Sequence, residues 1–564
     1  MSKQLAIVVY ILSGLFFGLF FIWPIFSTLQ GAFFDQDRDF TLDYVLEVFR
    51  NPIYLEGLRN AFLLAVFSTL LCFIIAIPLA FIADRYLFPL KGLLQALILV
   101  PMILPPFVGA IGVKQILGQE GSLNALLRDL GFLASDASID WLGEGRFWGV
   151  VVLNALHLYP ILYLNVAASL ANIDPAMEEA AENLGCTGLR KFTRVTLPLI
   201  MPGLFAGGTI IFIWAFTELG VPLMFDYTRV TSVQIFAGIK DIGNNPFPYA
   251  LVAVMLITTA LLYGLSKALF GRHTFAMMPK ASTSSGPRPT SWVGGTLCTC
   301  FFTGVTLVAI LPHIGVVLVA FSDDWYQTVF PASYTLQHFE TALGHHLTLP
   351  AIQNSLKYAS LSTLIDLVLG IAIAYVVVRT KLPGRQILDA LAMLPLAVPG
   401  LVLAFGYLAM TKEGEFLAFL NPTENPLYLL VIAYAVRRLP YVVRSAAAGY
   451  QQTSVSLEEA AQNLGCPPFK TLRRVTLPLI AANLIAGGLL AFSFAMLEVS
   501  DSLLLAQKQE FYPITKAIYE LFNLLGEGRF IASALGVWAM AFLGVSIIGA
   551  SLILGKKLGA LFRV

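Results

Sequence analysis

Twelve stretches of this chain are each long and apolar enough to fill the hydrocarbon of a bilayer. That fixes most of what the chain can fold into. They lie near residues 5–27, 60–83, 93–117, 147–171, 199–220 and 250–270, then 293–321, 355–378, 387–411, 427–449, 480–505 and 530–554. A crossing helix needs about 20 apolar residues. No water enters the hydrocarbon, so every backbone N–H and C=O must be satisfied inside the segment, and the α-helix does this. Only 12% of the 564 residues are charged and 57% are hydrophobic, with a mean hydropathy of +0.78. A soluble protein carries about 25% charged residues. The reading is an all-α polytopic membrane protein embedded in a lipid bilayer. A net charge of +1 gives no global field to draw nucleic acid. The first run follows Lys3, is too long for the apolar core of a signal peptide and lacks an A-x-A cleavage pattern. It reads as a retained span.

The runs fall six and six. Residues 1–270 form a first half and 293–564 a second. The stretch 271–292 between them holds Arg272, Lys280, Pro287, Arg288 and a Ser/Thr cluster, the composition of a flexible polar linker. The second half repeats the first. Asn60, Arg85, Pro101 and Pro105 match Asn354, Arg379, Pro395 and Pro399 at an offset of 294. Pro160, Gly207-Gly208 and Glu218 match Pro440, Gly487-Gly488 and Glu498 at an offset of 280. The change of 14 is absorbed near 118–146. The halves therefore run in the same direction, and parallel repeats suit a central path between them. Basic residues set the orientation. Arg85 and Lys91, Arg190, Lys191 and Arg194, the linker, Arg379, Lys381 and Arg385, and Lys470, Arg473 and Arg474 all fall on one side. That side is the cytoplasm, with both termini. Acidic loops (Asp35, Asp37, Asp39, Asp43; Asp323-Asp324) face outward.

The longest identity in the repeat is a polar island. Residues 178–200 read EEAAENLGCTGLRKFTRVTLPLI and residues 458–480 read EEAAQNLGCPPFKTLRRVTLPLI, identical at 15 of 23 positions without a gap. Asp174-Pro175 or Ser454 can cap a short helix whose first turn carries Glu178 and Glu179, or Glu458 and Glu459. Gly185 or Gly465 fits the helix stop. Leu197-Pro198 or Leu477-Pro478 opens the next apolar run. The E-A-A, Gly and V-x-L-P pattern resembles the EAA loop of bacterial ABC importer permeases, here as loops 174–198 and 454–478. The resemblance implies two parallel six-helix repeats of the type I importer permease fold. It also implies that each loop is a cytoplasmic coupling helix seated in a groove of an ATPase subunit. Glu179 and Glu459 are then the contacts to the ATPase. Ala180, Ala181, Ala460 and Ala461 form the flat packed face, and Gly185 and Gly465 the sharp turn. The alternative for the glutamates is a merely solvated face.

Charges inside the spans are costly and face a cavity or a partner. Glu218 and Glu498 lie about 20 residues past the Leu-Pro that opens the fifth span of each half, roughly 30 Å along a helix and near the outer surface. Either they ring the outer mouth of the path and favour cationic cargo, or they are interfacial helix ends. Asp366 falls mid-span where the first half has Cys72, and Arg437-Arg438 fall where it has His157-Leu158. One reading pairs Asp366 with Arg437 or Arg438; the other turns an arginine toward the path. Pro101, Pro105, Pro106, Pro395 and Pro399 mark broken or kinked third spans, for packing or for gating. The glycine pairs read as packing between the halves. Five cysteines show no C-x-x-C spacing and read as packing residues or free thiols. His345-His346 reads as surface rather than a metal site, and no metal ligand set is expected.

No G-x-x-x-x-G-K-[ST] loop is present, so the chain is expected to be no enzyme. It binds no cofactor itself; ATP and magnesium belong to a separate, homodimeric ATP-binding cassette subunit. The fused two-half form, with Ala215–Phe225 (AFTELGVPLMF), resembles ferric-iron importer permeases of the bacterial inner membrane. These are fed by a periplasmic or lipid-anchored solute-binding protein. Thiamine, polyamine, sulfate and phosphonate permeases remain alternatives, and a secondary transporter driven by an ion gradient is the reading from another class.

Overall fold

The computed structural model describes residues 3–35, 37–103, 105–239, 245–270 and 287–554. The apolar runs are helices. Among the described residues nine are long and apolar enough to cross a membrane: Ala6–Phe33, Pro52–Arg85, Phe147–Ala171, Gly188–Thr217, Phe247–Leu265, Trp292–Phe321, Thr348–Arg379, Pro468–Met496 and Gly528–Ser546. The two expected third spans are broken pairs, Lys91–Met102 with Pro106–Asp129, and Arg385–Leu396 with Gly400–Met410, the latter bent by 100°. Counting each pair as one span gives eleven, not the expected twelve. The other expected span, Leu427–Gln452, is a continuous 26-residue helix that carries Arg437, Arg438 and Arg444. Length is met there and composition is not.

Proline accounts for the breaks. Pro105 and Pro399 stand in extended backbone, with ψ of 119° and 138°, at the start of the helices Pro106–Leu117 and Gly400–Met410. A proline has no N–H to continue a helix, and the residue before it is pushed out of helical geometry.

By packing, the chain divides into two compact units that cut across the sequence halves. One comprises Met1–Leu55, Thr231–Ile257 and Phe339–Leu561, the other Glu56–Val230 and Thr258–His338. Within each unit, the first helix of one half lies against the broken third span of the other half. In the first unit Trp23–Phe33 packs on Gly400–Met410. A Cβ at Gly406 would stand 2.6 Å from the Pro24 carbonyl oxygen, and the Tyr407 hydroxyl donates to the Phe20 carbonyl at 2.7 Å. In the second unit Trp292–Phe321 packs on Pro106–Leu117, with Gly112 against the Pro312 carbonyl. Glycine lets two helix backbones come this close.

The glycine pairs of the fifth spans were expected between the halves. They pack inside one half instead. Methyl groups at Gly207 and Gly208 would meet Leu162 at 2.9 Å and Phe73 at 2.7 Å; one at Gly487 would meet Ser445 at 2.6 Å. The fifth span is wedged against the second and fourth of its own half, so its smallest residues serve that contact.

Most of the linker, with Arg272 and Lys280, lies outside the described residues. Its end is tied down: Arg288–Pro289 pairs in parallel with Tyr86–Leu87, and the Thr290 hydroxyl donates to the Leu87 carbonyl at 2.8 Å.

Gly112→Ala drives its new methyl into the Pro312 carbonyl. The expected cost is about 1–3 kcal/mol, read as a lower midpoint of thermal unfolding in detergent. Gly304→Ala, on the same helix as Pro312, meets nothing within 4 Å and is expected not to lower it.

Candidate functional site

The duplicated polar loop folds the same way twice. Pro175–Asn183 and Val455–Asn463 are short helices. The Asp174 carboxylate accepts from the Ala176 N–H at 3.1 Å, and the Ser454 hydroxyl from the Ser456 N–H at 3.3 Å. Each side chain thus satisfies a free donor at a helix start. Gly185 and Gly465 close the helices with φ of +79° and +82°, where a Cβ would be strained. The Gly185 N–H donates to the Glu182 carbonyl at 2.9 Å and the Cys186 N–H to the Ala181 carbonyl at 2.9 Å. The Gly465 and Cys466 N–H groups do the same to Gln462 and Ala461, at 2.9 and 3.0 Å. This double bond pattern is the Schellman stop.

A basic stretch leads on to Leu-Pro through one π-helical turn in each copy, Phe192–Thr196 and Leu472–Thr476. The Leu197 N–H reaches back to the Phe192 carbonyl, and the Leu477 N–H to the Leu472 carbonyl. Pro198 and Pro478 cannot donate, and the wider turn keeps the segment helical without that bond.

The paired glutamates separate. Glu179 and Glu459 are exposed, as are Ala180 and Ala460. Glu178 and Glu458 turn inward and are buried. Arg85 Nη2 stands 2.5 Å from Glu178 Oε2, and the Thr196 hydroxyl donates to Glu178 Oε1 at 2.6 Å. Arg379 Nε stands 3.3 Å from Glu458 Oε1, and its Nη2 donates to the Thr453 carbonyl at 2.9 Å. Ala181, Ala461, Leu197, Leu477 and Pro198 are half-buried, and Pro478 is exposed. Sequence reasoning missed two residues here. Leu184 is 88% exposed and Leu464 90%, each just before the turning glycine. An apolar residue recurring inside a polar island was the signal. The copies differ in one respect. Lys191 Nζ lies 2.6 Å from Glu182 Oε1, and this hydrogen bond, with the charges of Lys191, Arg288 and Arg85, holds the Glu182 carboxyl below its ordinary range. The second copy has Gln462 and Thr471 there.

The charges within the spans are drawn together in one unit, with partners other than those expected. Arg437 Nη1 lies 2.5 Å from Glu498 Oε1 and 3.4 Å from Asp501 Oδ2. Arg438 Nη2 pairs with the other Glu498 oxygen and donates to the Phe494 carbonyl at 3.1 Å. Asp366, expected to pair with an arginine, is fully buried with no hydrogen-bond partner on either carboxyl oxygen. The reason is position. Glu498 and Asp501 flank the break that follows Leu477–Met496, and that break faces the arginines. Arg437 also fills the space beside Gly400, where any Cβ would strike its guanidinium. Glu218 and Glu498 share one local task. Glu218 Oε1 accepts from the Val221 N–H at 3.2 Å and Glu498 Oε1 from the Asp501 N–H at 3.4 Å, each opening the short helix that follows. The rings of His345 and His346 stack at 4.4 Å. Among the described residues no three His, Cys, Asp or Glu side chains are grouped to hold a metal.

The family model described as a binding-protein-dependent transport system inner membrane component matches residues 76–275 and again 366–556. A ferric transport system permease protein, FbpB, of Actinobacillus pleuropneumoniae is 26% identical over 505 residues, covering 85% of this chain and 69% of that one. An Fe(3+)-transport system permease protein, FbpB 2, of Haemophilus influenzae is 25% identical over 462 residues, covering 82% and 83%. A spermidine/putrescine transport system permease, PotB, of Haemophilus influenzae is 31% identical over 157 residues, covering 28% of this chain and 54% of its own length.

Glu498→Gln leaves the buried Arg438 and the half-buried Arg437 short of charge, an expected loss of about 3–5 kcal/mol. Asp366→Asn removes a carboxylate with no hydrogen-bond partner and is expected to be the milder change. Thermal unfolding of the two variants in detergent checks the order.

Proposed function

Because the chain belongs to the family of inner-membrane components of binding-protein-dependent transport systems, we propose that it is the membrane-spanning permease of an ATP-driven importer of ferric iron. The observation that carries the mechanism is the duplicated, double-capped loop helix with an exposed Glu-Ala-…-Leu face, Glu179, Ala180 and Leu184, or Glu459, Ala460 and Leu464. Each face is the seat for one copy of a homodimeric ATPase, which holds the ATP and magnesium. ATP-driven closure of that dimer pushes both loops, and the helices rock around the path. Both loops and both termini lie in the cytoplasm, as the distribution of arginine and lysine supports. Outside, a periplasmic or lipid-anchored binding protein delivers the cargo. The Arg437–Glu498 network stiffens the wall of the unit that holds it.

Ferric iron is favoured over the other cargoes by coverage. The ferric relatives align over 82% and 85% of this chain, the polyamine relative over 28%. The family match leaves no need for an ion-gradient mechanism.

Uptake of labelled Fe(III) into proteoliposomes, with the ATPase subunit inside and the iron-loaded binding protein outside, is expected to require ATP. Changing Glu179→Ala and Glu459→Ala together is expected to cut co-purified ATPase about tenfold or more, the loss of a paired contact at an interface. Retention of the ATPase would move the contact elsewhere, and uptake of spermidine in place of iron would change the cargo.

A further inference from the structure

The inward glutamates of the loop helices cannot touch a docked subunit, yet burying a carboxylate costs free energy unless a partner meets it. Both are met in the same way. Arg85 is the last residue of the 34-residue helix Pro52–Arg85, and Arg379 the last of the 32-residue helix Thr348–Arg379. Each reaches the first turn of its own half's loop helix. We propose that the Arg85–Glu178 and Arg379–Glu458 pairs are clamps that carry a push on each loop helix into the second long helix of the same half. This deepens the importer reading above and rests on it.

Three observations support the clamp. First, the arginines repeat at an offset of 294 and the glutamates at 280. The contact survives a change of 14 residues in the chain between them, so local sequence spacing does not impose it. Second, the surroundings differ while the ion pair stays. Beside Arg85 the Phe81 ring meets Phe192 at 5.3 Å; beside Arg379 Tyr375 meets Tyr450 at 5.6 Å. Thr196 supports Glu178, whereas Thr453 is bound by Arg379. Third, the loop helix is joined by the chain to the fourth long helix, which ends at Ala171 or Gln452, and through the π turn to the fifth, which starts at Leu197 or Leu477. The second long helix has no such chain link to the loop, and the clamp supplies one. An apolar contact would hold the helix equally well, but it slides; an arginine–carboxylate bond is directional and fixes distance. With the clamp in place, the second long helix of a half moves with the loop and with the fourth and fifth helices as one body.

The test uses the full chain co-expressed with its ATPase subunit and reconstituted with loaded binding protein. Arg85→Ala with Arg379→Ala is expected to keep co-purified ATPase within about twofold while stimulated ATP hydrolysis and uptake fall about tenfold or more, the size of an ordinary coupling energy. Arg85→Lys with Arg379→Lys keeps the charge and is expected to regain much of the uptake. Uptake that stays at the unmodified level in the alanine variant overturns the clamp. So does loss of ATPase in step with uptake, which would make the pairs supports of the docking face. Should the alanine variant fail to fold, the exchange Arg379→Glu with Glu458→Arg decides. Restored uptake supports transmission, and bound ATPase without uptake overturns it. An unmodified chain that holds no ATPase would sink the importer reading itself, and shows before any variant is made.

Discussion

Every polar backbone group within the hydrocarbon must find a partner, and unbroken helices meet that demand unaided. The structure therefore depends on what happens where helices break. At each break a side chain or a neighbouring backbone fills in. The His157 ring donates to the Pro101 carbonyl at 2.8 Å, and the Tyr159 hydroxyl to Ile98 at 3.3 Å, beside the first broken span. Arg437, at the matching position of the second half, lies against Gly400 beside the other. Lys114 and Arg146 donate to the Met224 and Phe225 carbonyls at 3.0 and 2.6 Å, where the short helix Gly220–Met224 ends. The charged residues of this apolar chain are concentrated where regular hydrogen bonding stops.

The two halves share a plan and differ in how they carry charge. One compact unit buries Arg438, Glu498 and Asp501 together, with Arg437 half-buried beside them. The other places Lys114, Arg146 and Asp226 in a more exposed cluster, at 2.8 and 2.5 Å. A buried network demands full geometry and tolerates little movement; an exposed one is screened and yields more readily. Matching helices can thus differ in stiffness although their sequences descend from one pattern.

Much of this was legible in the sequence. Length and composition placed the helices; Phe147–Ala171 matches its expected span to the residue. Asp174, Ser454, Gly185 and Gly465 announced the caps and stops because those signals are local. What escaped detection was long-range. Spacing cannot say that Glu178 faces Arg85 while Glu179 faces away, since both sit in one helical turn. The pairing of Asp366 with an arginine was inferred from equal depth alone. Depth carries no information about angle around a helix axis, and Glu498 and Asp501 were the groups on the right side. The glycine pairs were placed in the wrong contact for the same reason.

The division into units bears on how the chain is made. Ribosomes deliver the N-terminus first. The unit built on Glu56–Val230 and Thr258–His338 has all these residues in hand once His338 has emerged. The other holds the very first helix, yet most of its mass follows Phe339. Ala6–Phe33 must then wait in the lipid, its Pro24 surface uncovered, until Gly406 and Tyr407 are synthesised some four hundred residues later. The Gly31 end of this helix meets Tyr249 much sooner, so it is the Pro24 surface that is covered late. During that interval it depends on lipid, or on the insertion machinery, for cover.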